Sequence, residues 1–192
     1  MKLLTLLISS FICSTNSLLL IPYIFKNMLP IPTEPSIVIN NYLGLWNQVA
    51  TSRSSALLGT GVRYKNVTAF YELLNNSDIG VYNSGYDENN NFTSIHGYSY
   101  ITGNSQTKRK LHFDGVPVDG NYWIVKLGPI QQNLYRYAIV SGPLTSYIGT
   151  RFSLYVLARN PEEYKIKYEK EVKKWCKNNN FRFFWNKYIP TY

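Results

Sequence analysis

The chain has 192 residues, of which 45% are hydrophobic and 16% aromatic; this suits one folded domain and excludes a disordered chain. Two cysteines are too few for a disulfide-rich fold. The formal charge of +9 is compatible with nucleic acid, an anionic membrane or an anionic ligand as partner, and equally with a basic solvated surface.

The N-terminal segment is predicted to direct export. A lysine precedes an apolar run over residues 3–13, which has the length of a signal-peptide hydrophobic region and predicts a signal peptide at 1–17. Because uncharged residues continue beyond this run, a membrane anchor at 1–25 is the alternative. Cys13 follows an isoleucine rather than a small residue, which disfavours lipoprotein processing. Both alternatives predict a secreted or extracytoplasmic protein, anchored through residues 3–25 in the second case.

The middle of the chain is predicted to be all β. Residues 18–38 contain closely spaced prolines and are predicted to form a linker, with the folded barrel over 39–160. Within it, aromatic and β-branched runs alternate with Gly, Asn, Asp and Pro clusters, which is typical of strands joined by turns. The predicted strands are 43–52, 66–74, 79–87, 93–102, 108–115, 121–128, 135–142 and 151–159. Because an open meander exposes two edges, we predict an eight-stranded antiparallel up-and-down β-barrel.

One connection in this barrel is longer than a hairpin requires. Residues 51–65 separate the first two strands, whereas hairpin loops have about two to five residues. Long loops in compact domains are commonly functional, so we expect this loop to fold over one mouth of the barrel.

Residues 161–192 are predicted to form a C-terminal α-helix and tail. Pro161 followed by two glutamates is a typical helix start. An apolar stripe follows at helical spacing, formed by Tyr164, Tyr168, Val172 and Trp175. The stripe predicts a helix docked on the domain, while the lysines on its other faces leave a membrane-lying helix as the alternative. Residues 181–189 are predicted to add a short strand.

Three motifs occur in order along the predicted barrel. Gly44 and Trp46 form a G-x-W pattern in the first strand, and residues 135–143 read YRYAIVSGP in the seventh. Residues 157–161 read LARNP, which places Arg159 at the end of the eighth strand, just before the helix. Together these motifs resemble the bacterial-lipocalin and apolipoprotein D branch of the lipocalin family. The resemblance implies a lipocalin-like barrel that binds a small hydrophobic ligand.

The G-x-W motif and Arg159 are predicted to seal one end of the barrel. In an eight-strand meander the start of the first strand and the end of the eighth lie at the same end. This brings Trp46 beside Arg159, and a guanidinium over an indole gains about 0.5–2 kcal/mol. Gly44 is expected to keep the backbone clear for that packing. We therefore assign Gly44, Trp46 and Arg159 to stability.

The resemblance also implies which side chains face the interior and bind a ligand. The candidates are Ala69, Tyr71, Val81, Asn83, Ile95, Leu111, Phe113, Tyr122, Ile124, Val140 and Tyr155. This lining is apolar or aromatic, with a few hydroxyl and amide groups and no acid, which suits an acyl chain or a sterol-like body. With the rim cations, the predicted ligand is an anionic lipid such as a fatty acid or lysophospholipid. Rim cations are expected to meet the head group, namely Arg53, Arg63, Lys65 and Arg151. A barrel filled by its own aromatic side chains is the alternative.

Neither catalysis nor nucleic-acid binding is predicted. Both histidines, His96 and His112, fall on outward positions, and no nucleophile elbow, HExxH, CxxC or P-loop is present. No cofactor or metal is therefore expected. In the basic run at 108–110, Arg109 is expected to project inward near the sealed end of the barrel, and three adjacent like charges on a turn are usually solvated. An export signal argues further against nucleic acid. The main alternative function is a non-catalytic scaffold whose loops or helix bind a protein or a membrane, such as an anionic surface.

Three sequons make Asn66, Asn75 and Asn91 candidates for glycosylation. All three fall at strand ends or in loops, where glycosylation needs them to be. The prediction applies only to passage through a eukaryotic secretory route.

Overall fold

A computed structural model describes residues 31–55, 64–146 and 149–191. Its strands, in chain order, are β1 (Gly44–Thr51), β2 (Lys65–Leu73), β3 (Ile79–Tyr86), β4 (Phe92–Ile101), β5 (Lys108–Phe113), β6 (Gly120–Leu127), β7 (Ile130–Gln131), β8 (Leu134–Tyr135), β9 (Tyr137–Ser141), β10 (Pro143–Ser146), β11 (Gly149–Phe152), β12 (Tyr155–Ala158) and β13 (Ile189–Pro190). Eight strands form the barrel: β1 to β6, β9 and β12. Each pairs antiparallel with the next of these along the chain, and the last, β12, pairs with β1. This closes an eight-stranded antiparallel barrel and confirms the predicted fold.

The helices are α1 (Ile39–Tyr42), α2 (Arg53–Ser55), α3 (Pro161–Lys167) and α4 (Glu169–Asn178). The Asn160 side chain accepts a hydrogen bond from the Glu163 amide at 2.9 Å, and with Pro161 it caps the start of α3. Of the predicted stripe, Tyr164, Tyr168 and Val172 are buried, which confirms that the helical segment is docked through it. Trp175 is only partly buried, and its neighbour Cys176 is buried as well.

Two apolar cores lie on opposite faces of the barrel wall. In β9 all five residues are buried, because alternate side chains enter different cores. Ala138 and Val140 belong to the interior core, whereas Tyr137 and Ile139 belong to an outer core shared with α3 and α4. The second face of β9 is covered by the C-terminal helices, so this strand reads as continuously hydrophobic.

Three predicted elements differ from the structure. Residues 31–38, expected in a linker, pack against the barrel: the Glu34 amide donates to the Ile124 carbonyl at 3.0 Å, and Ile37 is buried in the interior core. The eighth strand is divided, because β11 pairs with β10 in a separate hairpin before β12 begins. Among the described residues of the tail, Ile189–Pro190 alone forms a strand, and it pairs with β1.

Two predictions fall largely outside the described residues. The signal peptide or anchor within residues 1–25 is one, and most of the predicted long loop, residues 56–63, is the other. Among the helices of the described residues, none combines the length and apolar character needed to cross a membrane.

Candidate functional site

The closed end of the barrel is sealed by an arginine and a tryptophan. The Arg159 guanidinium carbon lies 3.7 Å from the centre of the Trp46 ring, and Trp46 is fully buried. The guanidinium also donates to backbone carbonyl oxygens of Asn41 (3.2 Å), Tyr42 (3.1 Å), Leu43 (2.7 Å) and Leu45 (2.6 Å). Burial lowers the pKa of Arg159 to about 10, so it remains charged at neutral pH. The end of β12 is thereby tied to α1 and the start of β1.

Gly44 is required for a reason that differs from the predicted one. Its φ angle is +89°, in the left-handed region that favours glycine. A Cβ at this position would lie 3.5 Å from Arg159 Nη1, which is an ordinary contact distance. The backbone conformation, rather than clearance for Arg159, therefore accounts for glycine here.

The strand register brings the candidate ligand-binding residues onto the inner face of the barrel. Directly opposed residues on neighbouring strands share a face, as Tyr71, Val81 and Phe113 do through β2, β3, β4 and β5. A second set of opposed residues is Ala69, Asn83 and Ile95, and a third is Ile124, Val140 and Tyr155. Leu111 and Tyr122 occupy further inward positions of β5 and β6. Their role in ligand binding remains a prediction.

Three tyrosines form a hydrogen-bonded cluster at the floor of the interior. The Tyr42 and Tyr122 hydroxyl oxygens lie 2.6 Å apart, and the Tyr122 hydroxyl donates to that of Tyr71 at 2.9 Å. Burial raises the pKa of Tyr71 to about 12 and holds the pKa of Tyr42 and Tyr122 well above the usual range. The three phenols are therefore neutral hydrogen-bonding groups at physiological pH. Sequence reasoning missed Tyr42, because it lies in α1, outside the strand alternation.

Arg109 lies beside this cluster with only 2% of its surface exposed. Its Nε donates to Ser99 Oγ at 2.9 Å and its Nη2 to the Ser99 carbonyl at 2.7 Å. Burial lowers the pKa of Arg109, while the more distant Asp78 carboxylate raises it. In the part of the chain that the structure describes, no carboxylate lies within 4 Å of this guanidinium. The floor thus contains a buried cation without a close counter-ion.

Aromatic side chains fill the interior around Tyr42, Tyr71 and Tyr122, and in this part the barrel agrees with the alternative of an interior filled by its own aromatic side chains. The gap that remains has no room for a water molecule, and it is lined by Tyr42, Tyr71, Ile79, Val81, Ser99 and Tyr122. Other inward side chains, such as Ile95, Phe113 and Tyr155, are only partly buried. Asn83 Oδ1 is buried and has no hydrogen-bond partner among the described residues. The inward face therefore offers apolar contact area together with the unpaired oxygen of Asn83.

The rim arginines contact aromatic rings of the C-terminal tail, which changes their predicted role. The Arg53 guanidinium lies 4.2 Å from the centre of the Phe184 ring, and that of Arg151 lies 5.5 Å from Trp185. The Ser54 amide donates to the Trp185 carbonyl at 2.7 Å, which holds the tail beside the end of β1. The tail was not predicted to reach this rim. Of the other two cations, Lys65 is exposed and Arg63 lies outside the described residues.

The side chains best suited to catalysis lie away from the barrel interior. The centre of the His96 ring lies 4.5 Å from that of Tyr82 on the outer face, with the two rings tilted by 55°. His112 Nδ1 lies 2.9 Å from Asp119 Oδ1. Cys176 is buried in the outer core, where burial raises its thiol pKa to about 12 and keeps it protonated. No three His, Cys, Asp or Glu side chains of the described residues are placed to hold a metal ion.

The sequon asparagines Asn66, Asn75 and Asn91 are all exposed. Each is therefore accessible, but glycosylation itself remains a prediction.

Comparison with known sequences identifies related proteins. Residues 37–181 match a family described as the lipocalin-like domain. Outer membrane lipoprotein Blc of Vibrio cholerae is 35% identical over 125 residues, which cover 64% of this chain and 65% of that protein. Its Escherichia coli namesake is 31% identical over 139 residues, 69% of this chain and 70% of that protein. The chain thus spans about two thirds of the length of these relatives.

Comparison with solved structures gives the same architecture. Lobster apocrustacyanin A1 aligns with a TM-score of 0.62 at 15% identity, over 84% of this chain and 89% of that one. The cockroach allergen Per a 4 aligns with a TM-score of 0.55 at 14% identity, over 85% and 92% of the two chains. At such identities the similarity shows the fold alone.

Proposed function

This chain belongs to the lipocalin family, and we propose that it binds and carries a small hydrophobic ligand, a fatty acid or lysophospholipid, inside its barrel. The observation that carries this proposal is the inner face, where the strand register gathers apolar and aromatic side chains and, within the described strands, no acid. Burying an acyl chain against such a lining gains about 25 cal/mol per Å² of apolar surface.

We further propose that the protein acts outside the cytoplasm. The Blc relatives are named outer membrane lipoproteins, and the present sequence begins with a segment of export-signal character. An extracytoplasmic carrier can collect or deliver lipid at a membrane without entering it. The proposal is one of binding, and no step of catalysis is invoked.

Lipid extraction from the purified protein tests this function. We expect mass spectrometry of an organic extract to find one class of hydrophobic acyl compound in near-stoichiometric amount. A heat-unfolded sample of the same preparation, exchanged into fresh buffer before extraction, serves as control and should lose the compound. Extracts free of acyl compounds, together with no uptake of added lipid, would contradict the proposal.

A second candidate function is attachment to an anionic membrane surface, for which the C-terminal tail provides an observation. Phe184 and Trp185 are 64% and 41% exposed, although both carry large apolar rings. Arg53 and Arg151 lie over these rings at the barrel rim. Exposed aromatic rings beside cations are suited to the interface of an anionic bilayer.

Vesicle co-sedimentation tests this surface. We expect stronger binding to vesicles with phosphatidylglycerol than to pure phosphatidylcholine, and weaker binding at high salt, because the cations are screened. Changing Phe184→Ser together with Trp185→Ser should reduce binding at least about fivefold. Ile130→Ser, at an exposed site in the β7–β8 hairpin, is the control and should leave binding unchanged. Equal effects of the two changes would exclude the tail as the membrane contact.

A further inference from the structure

The tyrosine cluster at the barrel floor contains one more hydroxyl hydrogen than it forms hydrogen bonds. The hydroxyl groups of Tyr42, Tyr71 and Tyr122 carry three hydrogens but make two hydrogen bonds with one another. With Tyr122 donating to Tyr71, the Tyr71 hydrogen has no acceptor among the described residues. Buried donors in folded proteins nearly always have a partner, because leaving one unpaired is costly. The cluster therefore lacks an acceptor.

Arg109 adds a positive charge to the same place. Its Nε and Nη2 atoms both donate to Ser99, and Ser99 lines the narrow space that Tyr71 and Tyr122 also line. A buried charge is stabilised most by a close opposite charge, and none of the described carboxylates lies within 4 Å. The Tyr71 hydroxyl thus borders this gap directly, and the Arg109 guanidinium lies behind Ser99, to which it donates.

Resting on the proposed binding function, we propose that this floor cluster binds the carboxylate of a fatty acid that enters the barrel head first. Arg109 and the Tyr71 hydroxyl then donate to the carboxylate oxygens, which supplies both the missing charge and the missing acceptor. The acyl chain extends toward the mouth along apolar side chains such as Ile95 and Phe113. The gap is narrower than a water molecule, so the carboxylate enters by parting the tyrosine rings.

The surroundings favour this orientation over a head group at the mouth. Arg53 and Arg151, the rim cations with described side-chain contacts, lie over Phe184 and Trp185. At the floor, the groups that act electrostatically on Arg109 are Asp78, Tyr42 and Tyr122, and both tyrosines are neutral at physiological pH. Asp78 lies beyond 4 Å and is the one carboxylate among these groups, so the Arg109 charge is only partly compensated at the floor.

Comparison of an acid with its ester tests the carboxylate site. We expect cis-parinaric acid to bind the purified protein at least about tenfold more tightly than its methyl ester. Arg109→Met should remove this preference and leave the affinity for the ester within about twofold, and Tyr71→Phe should reduce the preference about threefold or more. Tyr137→Phe is the matched control, because Tyr137 is a buried phenol of the outer core that donates to Glu171, and it should leave the preference unchanged.

Each outcome decides between the carboxylate site and the wider function. Equal affinity for acid and ester, or a preference that survives Arg109→Met, overturns the carboxylate site and leaves the binding function standing. Saturable uptake of neither probe overturns both. If Arg109→Met does not fold, the ¹³C carboxyl shift of bound [1-¹³C]palmitate in the wild-type protein replaces it. We expect this shift to stay that of the ionised acid between pH 8 and about pH 5, as pairing with Arg109 requires; titration of the bound carboxyl in this range overturns the proposal.

Discussion

Replacing Arg159 with methionine is expected to lower the free energy of unfolding by about 3–5 kcal/mol. The change removes the guanidinium from the Trp46 ring and leaves four backbone carbonyl oxygens, those of Asn41, Tyr42, Leu43 and Leu45, without this donor. The contacts to Asn41, Tyr42 and Leu43 are partly buried, and a buried polar group that loses its partner costs about 1–3 kcal/mol, so their combined loss outweighs the cation–π contact itself. Urea unfolding followed by tryptophan fluorescence measures the loss.

Two further variants separate the carbonyl contacts from the charge. Arg159→Lys keeps a cation, but one ammonium cannot reach carbonyls on both sides of the guanidinium, so most of the loss should remain. Lys108→Met removes a cation 4.9 Å from the Trp123 ring at an exposed site and should cost less than about 1 kcal/mol. A loss below about 1 kcal/mol for Arg159→Met would show that the seal does not stabilise the barrel.

Changing Val172 to aspartate is expected to cost at least about 4 kcal/mol of unfolding free energy, enough to detach the C-terminal helices or unfold the domain. Val172 is fully buried in the outer core, together with Ile139 and Val156 of the barrel wall. A carboxylate at this position must either lose its hydration or leave the core, and the helix moves with it. Circular dichroism and urea unfolding measure the effect.

Ile166 provides the matched control for this change. It is an aliphatic residue of the neighbouring segment α3, but 80% of its surface is exposed. Ile166→Asp should therefore change the stability by no more than about 0.5 kcal/mol. Similar losses for the two substitutions would contradict docking of the helices through the Val172 face.

The barrel and its inward residues could be predicted because side chains along a strand point alternately inward and outward, and this alternation can be followed in the sequence. Tyr71, Val81 and Phe113 occupy positions whose period of two survives in the structure, and cross-strand pairing places them on one face. The Trp46–Arg159 contact followed from the meander alone, because consecutive antiparallel strands return the chain to its starting end. These features depend on near-neighbour geometry.

Features formed by distant segments could not be predicted in the same way. Tyr42 reaches the floor from α1 and bonds Tyr122, 80 positions along the chain, and no periodic pattern marks that contact. The Thr107 hydroxyl donates to the Glu34 carbonyl at 2.6 Å, which draws the expected linker onto the barrel. The tail likewise meets Arg53 and Arg151 only through tertiary packing. The alternation of β5 predicts that Arg109 faces inward. One of the two tyrosines that act electrostatically on it, Tyr42, comes from α1 and lies outside the strands.

Uptake of cis-parinaric acid by a variant with a filled interior tests most directly whether the barrel holds a ligand. Ile95→Trp places a large ring at a partly buried inward position of β4, whereas Ser94→Trp places the same ring on the exposed outer face one residue earlier. We expect saturable binding near one ligand per chain for the wild-type protein and for Ser94→Trp, and at least about tenfold weaker binding for Ile95→Trp. Unchanged binding by Ile95→Trp, or equal weakening by both variants, would contradict a ligand site inside the barrel.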